Sequence, residues 1–387
     1  MLDKQIFVML PGPFSFDIRS VQNTAALYKA GHIDIGNDVD TLLKTADQAL
    51  NEGPFSVTHK NFTPPSGDTH DYVSLSRYKW PNPHTSDGLP YVKRDGESNP
   101  ELEQYDRKPL GELCDCVSNL ALAYYFTNEN KYAVHAVTLL RTWFLDLDTR
   151  MNPNFNHGSV VPGIHYGSKG GTIAGILFLS LIDSVAFLDS YKGWTGQEQE
   201  GLEKWFRALR DWIVSSEFGK QELASKNNHG SWVDAQVVGF SLFIVDEDTA
   251  REHLINFTLK RFVDHFEPDG SQPSELKRTL SKTYCEYNLN AWIELAAYAN
   301  HVNIDLWNYE TEDGRGIRKA IEWFIPYILE EKKWVHQQIS EYQPGKMIPH
   351  MYRAAIAYNE IHYKKIAEKL NGLEKVSSRT RILYMKN

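Results

Sequence analysis

The sequence is poor in cysteine, has no long uninterrupted apolar run and carries no basic excess, and each shortage closes off a class of protein. Three cysteines in 387 residues cannot build a disulfide framework or a four-thiolate zinc site. Cys114 and Cys116 stand two apart in a stretch of helical periodicity, so their side chains diverge, and Cys285 is far along the chain. No uninterrupted run approaches the roughly 20 apolar residues of a membrane-spanning helix, so no membrane partner is expected. Near the start, Ile6 to Leu10 is stopped by Pro11, short of the about 7–15 apolar residues of a secretory leader core. The chain is therefore read either as cytoplasmic or as one from which a leader has been removed. Lys and Arg number 41 against 50 Asp and Glu, a formal net charge of −9. Nucleic acid, which needs clustered cations against its phosphates, is not an expected partner. An acidic chain can still hold an acidic polymer, but only through a locally basic cleft.

Aromatic residues are plentiful: 10 Trp, 20 Tyr and 18 Phe. Most belong in a large core, yet sugars offer apolar CH faces that stack on exposed rings, which makes carbohydrate an early suspicion. Helical periodicity dominates from about residue 106. Leu110, Leu113, Val117 and Leu120 recur near every 3.6 residues, as do Tyr132, Val137, Leu140 and Phe144, with a polar turn at Thr127–Asn130 between them. Further helices are expected at about 38–50, 172–191, 197–216, 230–244, 248–267, 282–301, 314–331 and 351–369. Strand signals are weak. Helix pairs every 40–50 residues or so point to an all-α fold, an α/α toroid of about six to seven helical hairpins in one domain spanning 1–387. A tetratricopeptide-like solenoid is the rival, and it lacks the fixed repeat it needs. Two segments, about 53–106 and 152–171, break the pattern and are read as walls or a lid of a cleft. The basic stretch from Lys365 to Asn387 reads as a loosely held tail.

Four groups could carry chemistry. Asn227-Asn228-His229-Gly230-Ser231-Trp232 opens a helix. Its amides can cap that helix or bind a carboxylate, and its histidine can move a proton. Glu275-Leu276-Lys277-Arg278-Thr279 is followed by Tyr284 and Tyr287. The bland reading is a surface Arg and a core Tyr, whereas the chemical one is a cation favouring a phenolate over its reference near 10. His70-Asp71-Tyr72 with Tyr78-Lys79-Trp80-Pro81 offers rings for stacking, or plain loop hydrogen bonds. Asn152-Pro153 through Pro162-Gly163-Ile164-His165-Tyr166-Gly167 has glycines that serve turns or close approach to a ligand.

In this order the four motifs resemble the alginate lyase superfamily of helical-toroid polysaccharide lyases, over roughly residues 65–300. The resemblance implies Asn228, His229, Arg278 and Tyr284 as the catalytic group. Tyr78, Trp80, His70, Asn227, Lys226 and His165 are the expected substrate contacts. Relatives often carry a second Arg close behind the first, where this chain has Thr-Leu-Ser-Lys-Thr, so Tyr287 stays open beside Tyr284 as the catalytic tyrosine. The implied activity is β-elimination on a 4-linked uronic-acid polymer, an acidic polysaccharide such as alginate or glucuronan, without metal or other cofactor. Such an enzyme is expected to be secreted or periplasmic. Mannuronate, guluronate and glucuronate, endo or exo action, and oligomeric state all stay open. A glycoside hydrolase on the same fold would need two facing carboxylates, for which Asp71, Asp234 and Glu275 are candidates. A non-catalytic carbohydrate-binding protein would explain the aromatics alone.

Overall fold

A computed structural model describes residues 10–372 and 377–384. Most of the apolar run Ile6 to Leu10 and parts of the basic C-terminal stretch lie outside the described residues. Helices dominate, as the periodicity predicts, and close contacts divide the chain into two compact units. The first comprises Met1–Pro13, Asp40–Gln221 and Phe240–Asp246; the second comprises Phe14–Val39, Glu222–Gly239 and Glu247–Asn387.

In the first unit, helix Arg107–Thr127 packs against helices Asn130–Leu140 and Leu177–Val185. Asn128 makes the reversal possible by adopting a left-handed conformation (φ 57°) and donating its N–H to Tyr124 O at 2.7 Å. Helix Asn130–Leu140 ends in a π turn, Arg141–Leu145. Within that turn Thr142, Trp143 and Phe144 are all buried. Phe144 then meets Trp205 edge-on at 4.7 Å, on helix Gly196–Ser215. That helix starts in a reciprocal cap between Thr195 and Glu198. The segment Lys169–Leu188 corrects the expectation about apolar length: by composition it could cross a membrane. With 72% of its apolar window buried inside the protein, it has the setting of a core helix.

The two long non-helical segments are joined to each other by backbone. Val73–Leu75 pairs in parallel with His157–Val160, and Lys79–Trp80 pairs antiparallel with Val92–Lys93. Gly158 and Gly171 approach so closely that a Cβ on Gly158 would stand 2.6 Å from the Gly171 Cα, so both positions exclude side chains.

In the second unit, helix Ser281–Asn300 packs on Ile317–Ile328 and Ile348–Tyr358. The single helix expected at 351–369 is two, Ile348–Tyr358 and Ile361–Asn371, parted at left-handed Asn359. Helix Ile18–Lys29 was not legible in the sequence. It buries Val21 and Ala25 beside the small polar Ser20 and Thr24, too little apolar surface to mark a period. What it packs against is helix Ser378–Tyr384, and this corrects the tail reading. Arg381 clasps both oxygens of Asp38 (2.7 and 2.8 Å) while Ile382 and Leu383 turn inward. The basic residues made the stretch look solvated, but its apolar pair is core.

Leu383→Ala should therefore cost about 2–4 kcal/mol, the usual range for a buried leucine. Urea unfolding of the variant checks this, and an unchanged midpoint would restore the loose-tail reading.

Candidate active site

The second unit gathers the Asn-His and Arg-Tyr groups. Helix Asn228–Phe243 opens with Asn227 as its cap: the Asn227 side-chain oxygen accepts the His229 N–H at 3.2 Å. The turn before it, 223–226, is held by Arg261. This side chain donates to Ser225 O at 2.6 Å and Leu223 O at 2.9 Å, and its Nε pairs with Asp234 at 2.8 Å. His253 Nε2 lies 2.9 Å from the same carboxylate. Burial alone would raise the Asp234 carboxyl, but Arg261 and His253 overrule it and hold it at about 2. Gly230 has a steric duty here. A Cβ at that position would stand 2.2 Å from both Arg261 Nη1 and Ser225 O.

Asn228 is locked from both sides of its own residue. Its backbone N–H donates to Glu275 Oε1 and its Nδ2 to Glu275 Oε2, each at 2.7 Å. A carboxylate only accepts, so this contact settles which end of the amide is nitrogen. The Asn228 Oδ1 is buried with no hydrogen-bond partner. Burial pushes the Glu275 carboxyl up, opposed by the two Asn228 bonds and by the nearby Arg278 and His229. His229 is half-buried and hydrogen-bonds through Nδ1 to Glu222, which is fully buried. Neither Glu222 nor the Glu275–Asn228 clamp was singled out from sequence, because partners 7 and 47 residues apart leave no local spacing to read.

A second network joins this helix start to the Arg-Tyr segment. Ser231 Oγ donates to Asn288 Oδ1 at 2.7 Å, Asn288 Nδ2 to Gln272 Oε1 at 2.8 Å, and Gln272 Nε2 to Cys285 O at 3.0 Å. Gln272 precedes the short helix Pro273–Leu276 that bears Glu275, and Asn288 lies on helix Ser281–Asn300 one turn beyond Tyr284. His265 sits beside Asn288, Nδ1 to Oδ1 3.1 Å, where burial and then Arg261 push its imidazole down to about 3.

Arg278 does not reach past Tyr284; its guanidinium lies over the ring, 3.7 Å from the centroid. Tyr284 and Tyr287 are both half-buried and meet edge-on at 6.3 Å, with Tyr287 in turn against Trp232. The linker between Arg278 and Tyr284 has a neighbouring segment, 334–339, that no local spacing announces. Gln338 bridges to Leu280, Ile339 N donates to Thr279 O at 3.0 Å, and Trp334 Nε1 donates to Ser281 Oγ at 2.9 Å.

Lys226, expected to line a basic cleft, is exposed and paired with Asp264 at 3.1 Å, so its charge is locally offset. Four expected substrate contacts belong to the first unit. His70 Nδ1 ties to Arg150 O at 2.6 Å. Trp80 donates Nε1 to Glu97 O at 2.9 Å and carries Arg94 over its ring at 5.0 Å, while Tyr78 is half-buried and its carbonyl accepts the Arg94 N–H. His165 turns back on Val161 through backbone bonds, next to an exposed Tyr166. Among the described residues no group of three or more His, Cys, Asp or Glu is arranged to hold a metal ion.

The alginate lyase family matches residues 56–334 of this chain. A crystal structure of an alginate lyase from Bacteroides ovatus is similar at TM-score 0.92 and 34% identity, covering 98% of this chain and 100% of that one. An alginate lyase from a Sphingomonas species is similar at TM-score 0.59 and 17% identity, covering 100% and 99%. A histidine-to-alanine variant of that lyase, complexed with a tetrasaccharide, is similar at 0.60 and 16%, covering 97% and 95%. At such identities the Sphingomonas likeness is one of fold. No curated protein matches the sequence.

Gly230→Ala should disturb the Arg261 clamp and lower stability by about 1–3 kcal/mol, the usual cost of forcing an atom into a packed site. Wild-type stability overlaid on the variant would refute the clamp. Acid should act through His265. Its folded value of about 3 lies below the ordinary 6.5, so its contribution is complete above pH 6.5 and is lost as pH falls from there toward 3. Denaturant titrations across that window should show a shallower acid slope in His265→Gln than in the wild type; equal slopes would count against a neutral buried His265.

Proposed function

The chain belongs to the alginate lyase family and is a polysaccharide lyase of the α/α-toroid class, and from that premise we propose that it cleaves mannuronate-containing alginate by β-elimination. The product is a chain with a C4=C5 double bond at its new non-reducing end. The observation that carries this reading is the buried Glu275 carboxylate, which Asn228 hydrogen-bonds and which interacts electrostatically with Arg278 and His229, while Arg278 in turn lies over the Tyr284 ring.

Elimination takes the C5 proton of a uronate and expels the oxygen on C4. The C5 proton is poorly acidic beside a charged carboxylate, so donors must meet the enolate-like dianion as it forms. Asn228 is built for this. Glu275 accepts one of its amide protons and orients the group, which leaves the second for the substrate carboxylate. His229 adds a second donor or a base through Nε2, since Nδ1 is taken by Glu222. Tyr284 is the proton carrier. Where C5–H and O4 share a face of the sugar, as in mannuronate, its oxygen can take the first proton and return it to the leaving O4. Where they lie on opposite faces, as in guluronate, His229 takes the proton from C5 and Tyr284 gives one to O4. Arg278 against the ring offsets the charge that Tyr284 carries as phenolate and fixes its plane.

Tyr78, Trp80, His70 and His165 of the first unit are kept as proposed sugar contacts, by stacking and hydrogen bonding. We assign the same mechanism to glucuronan if that polymer proves to be the substrate. The hydrolase alternative loses its carboxylates: Asp234 is committed to Arg261 and His253, Glu275 to Asn228, and Asp71 to Asn152 at 2.9 Å.

Incubation with polymannuronate should generate ultraviolet absorbance from the conjugated double bond, with Tyr284→Phe reducing turnover by about 10²–10⁴ at intact fold. Asn228→Ala and His229→Ala should each lower kcat by about 10²–10³ with a smaller effect on KM. Reducing ends without absorbance would identify a hydrolase, and an unaffected Tyr284→Phe would pass the role to Tyr287.

A further inference from the structure

We propose that Glu222 is a positioning residue for His229: it keeps a proton on Nδ1, so that Nε2 is the one ring atom that exchanges a proton with the sugar. The proposal rests on the lyase reading above and assigns a part to a residue outside the four motifs. The Glu222 carboxylate is buried and accepts from the ring through Oε1 while Ser225 Oγ donates to its other oxygen at 3.2 Å. An ionised carboxylate has no proton to give, so the shared proton belongs to Nδ1. Ring rotation would break that bond and strand a buried carboxylate, which favours one orientation of the imidazole. The support is itself rigid. Glu222 is followed directly by the turn whose Leu223 and Ser225 carbonyls Arg261 grips, and His229 starts the helix that the same turn leads into.

The consequence is a ring with one working end. As neutral imidazole, His229 presents an Nε2 lone pair, a base for a C5 proton. As imidazolium, it presents an Nε2–H, a donor for the uronate carboxylate. In both states Nδ1 keeps its proton and Glu222 its charge, so a single proton at Nε2 separates the two roles.

Glu222→Gln is nearly isosteric and tests this. With its oxygen toward Ser225, the Gln amide turns an N–H toward Nδ1 and forces the neutral ring to carry its proton on Nε2. In the wild type, ¹⁵N NMR of His229 should report a protonated Nδ1 and an unprotonated Nε2, and in Glu222→Gln the reverse. Turnover on polyguluronate, where Nε2 must act as the unprotonated base, should fall by about 10² or more with KM changed by less than about threefold, as for loss of a correctly set acid–base group. In a His229→Ala background, adding Glu222→Gln should lower kcat no further, because its effect passes through the ring. A wild-type Nε2–H tautomer, additive losses in the double variant, or a Glu222→Gln enzyme within about threefold of wild type would each overturn the proposal. If Glu222→Gln does not fold, the wild-type tautomer decides alone. If the wild type gives no unsaturated product, the lyase reading falls, and the tautomer, which needs no substrate, still decides the role of Glu222.

Discussion

The buried pair of Arg261 and Asp234 is the contact on which the candidate site depends. One guanidinium neutralises a carboxylate with no solvent access and, with its remaining N–H groups, satisfies two backbone carbonyls of the turn before Asn227. Breaking such a pair typically costs about 3–5 kcal/mol, because the partner is left charged and unsolvated. Its value here is geometric. The turn it grips separates Glu222 from His229, so the distance between those two side chains follows from where Arg261 sits. The absence of a side chain at Gly230 is the matching condition on the other side of the contact.

The acidic balance of the chain takes on a different meaning in this setting. Glu222, Asp234 and Glu275 are all buried, and each holds a donor in place: an imidazole, a guanidinium and an amide. Carboxylates spent inward this way add to the formal charge without presenting it to a polyanion. Two of the cations expected in a basic cleft have close neighbours of their own. Lys226 answers to Asp264, and the Arg278 cation lies flat on an aromatic ring. Under the proposed elimination, donors held in place this way would suit a transient dianion, since they need no reorganisation as its charge develops.

Much of the helical framework was legible in the sequence, because amphipathic helices such as Gly196–Ser215 and Ile317–Ile328 bury residues at a regular period. Legibility failed where burial did not follow that period. Helix Ile18–Lys29 buries small polar residues, and helix Ser378–Tyr384 hides two apolar residues among cations. The motif residues could be named from resemblance and residue type. Two of their holders could not, since Glu222 and Arg261 look like ordinary surface charges in a list of letters, and the clamp of Glu275 on Asn228 has no local spacing to reveal it.

The sequence by itself determined the helical class, the order of the motifs and the residue types able to move a proton, all of which depend on local period and side-chain chemistry. Only the tertiary structure decided which ring nitrogen of His229 is taken, which end of the Asn228 amide is nitrogen, and that Arg278 lies over Tyr284 rather than beside its hydroxyl. Those are questions of direction, and direction comes from partners brought together by folding over as many as 47 residues. A hydrogen bond or a ring contact has no local sequence period, so its geometry exists only once the chain has closed around it.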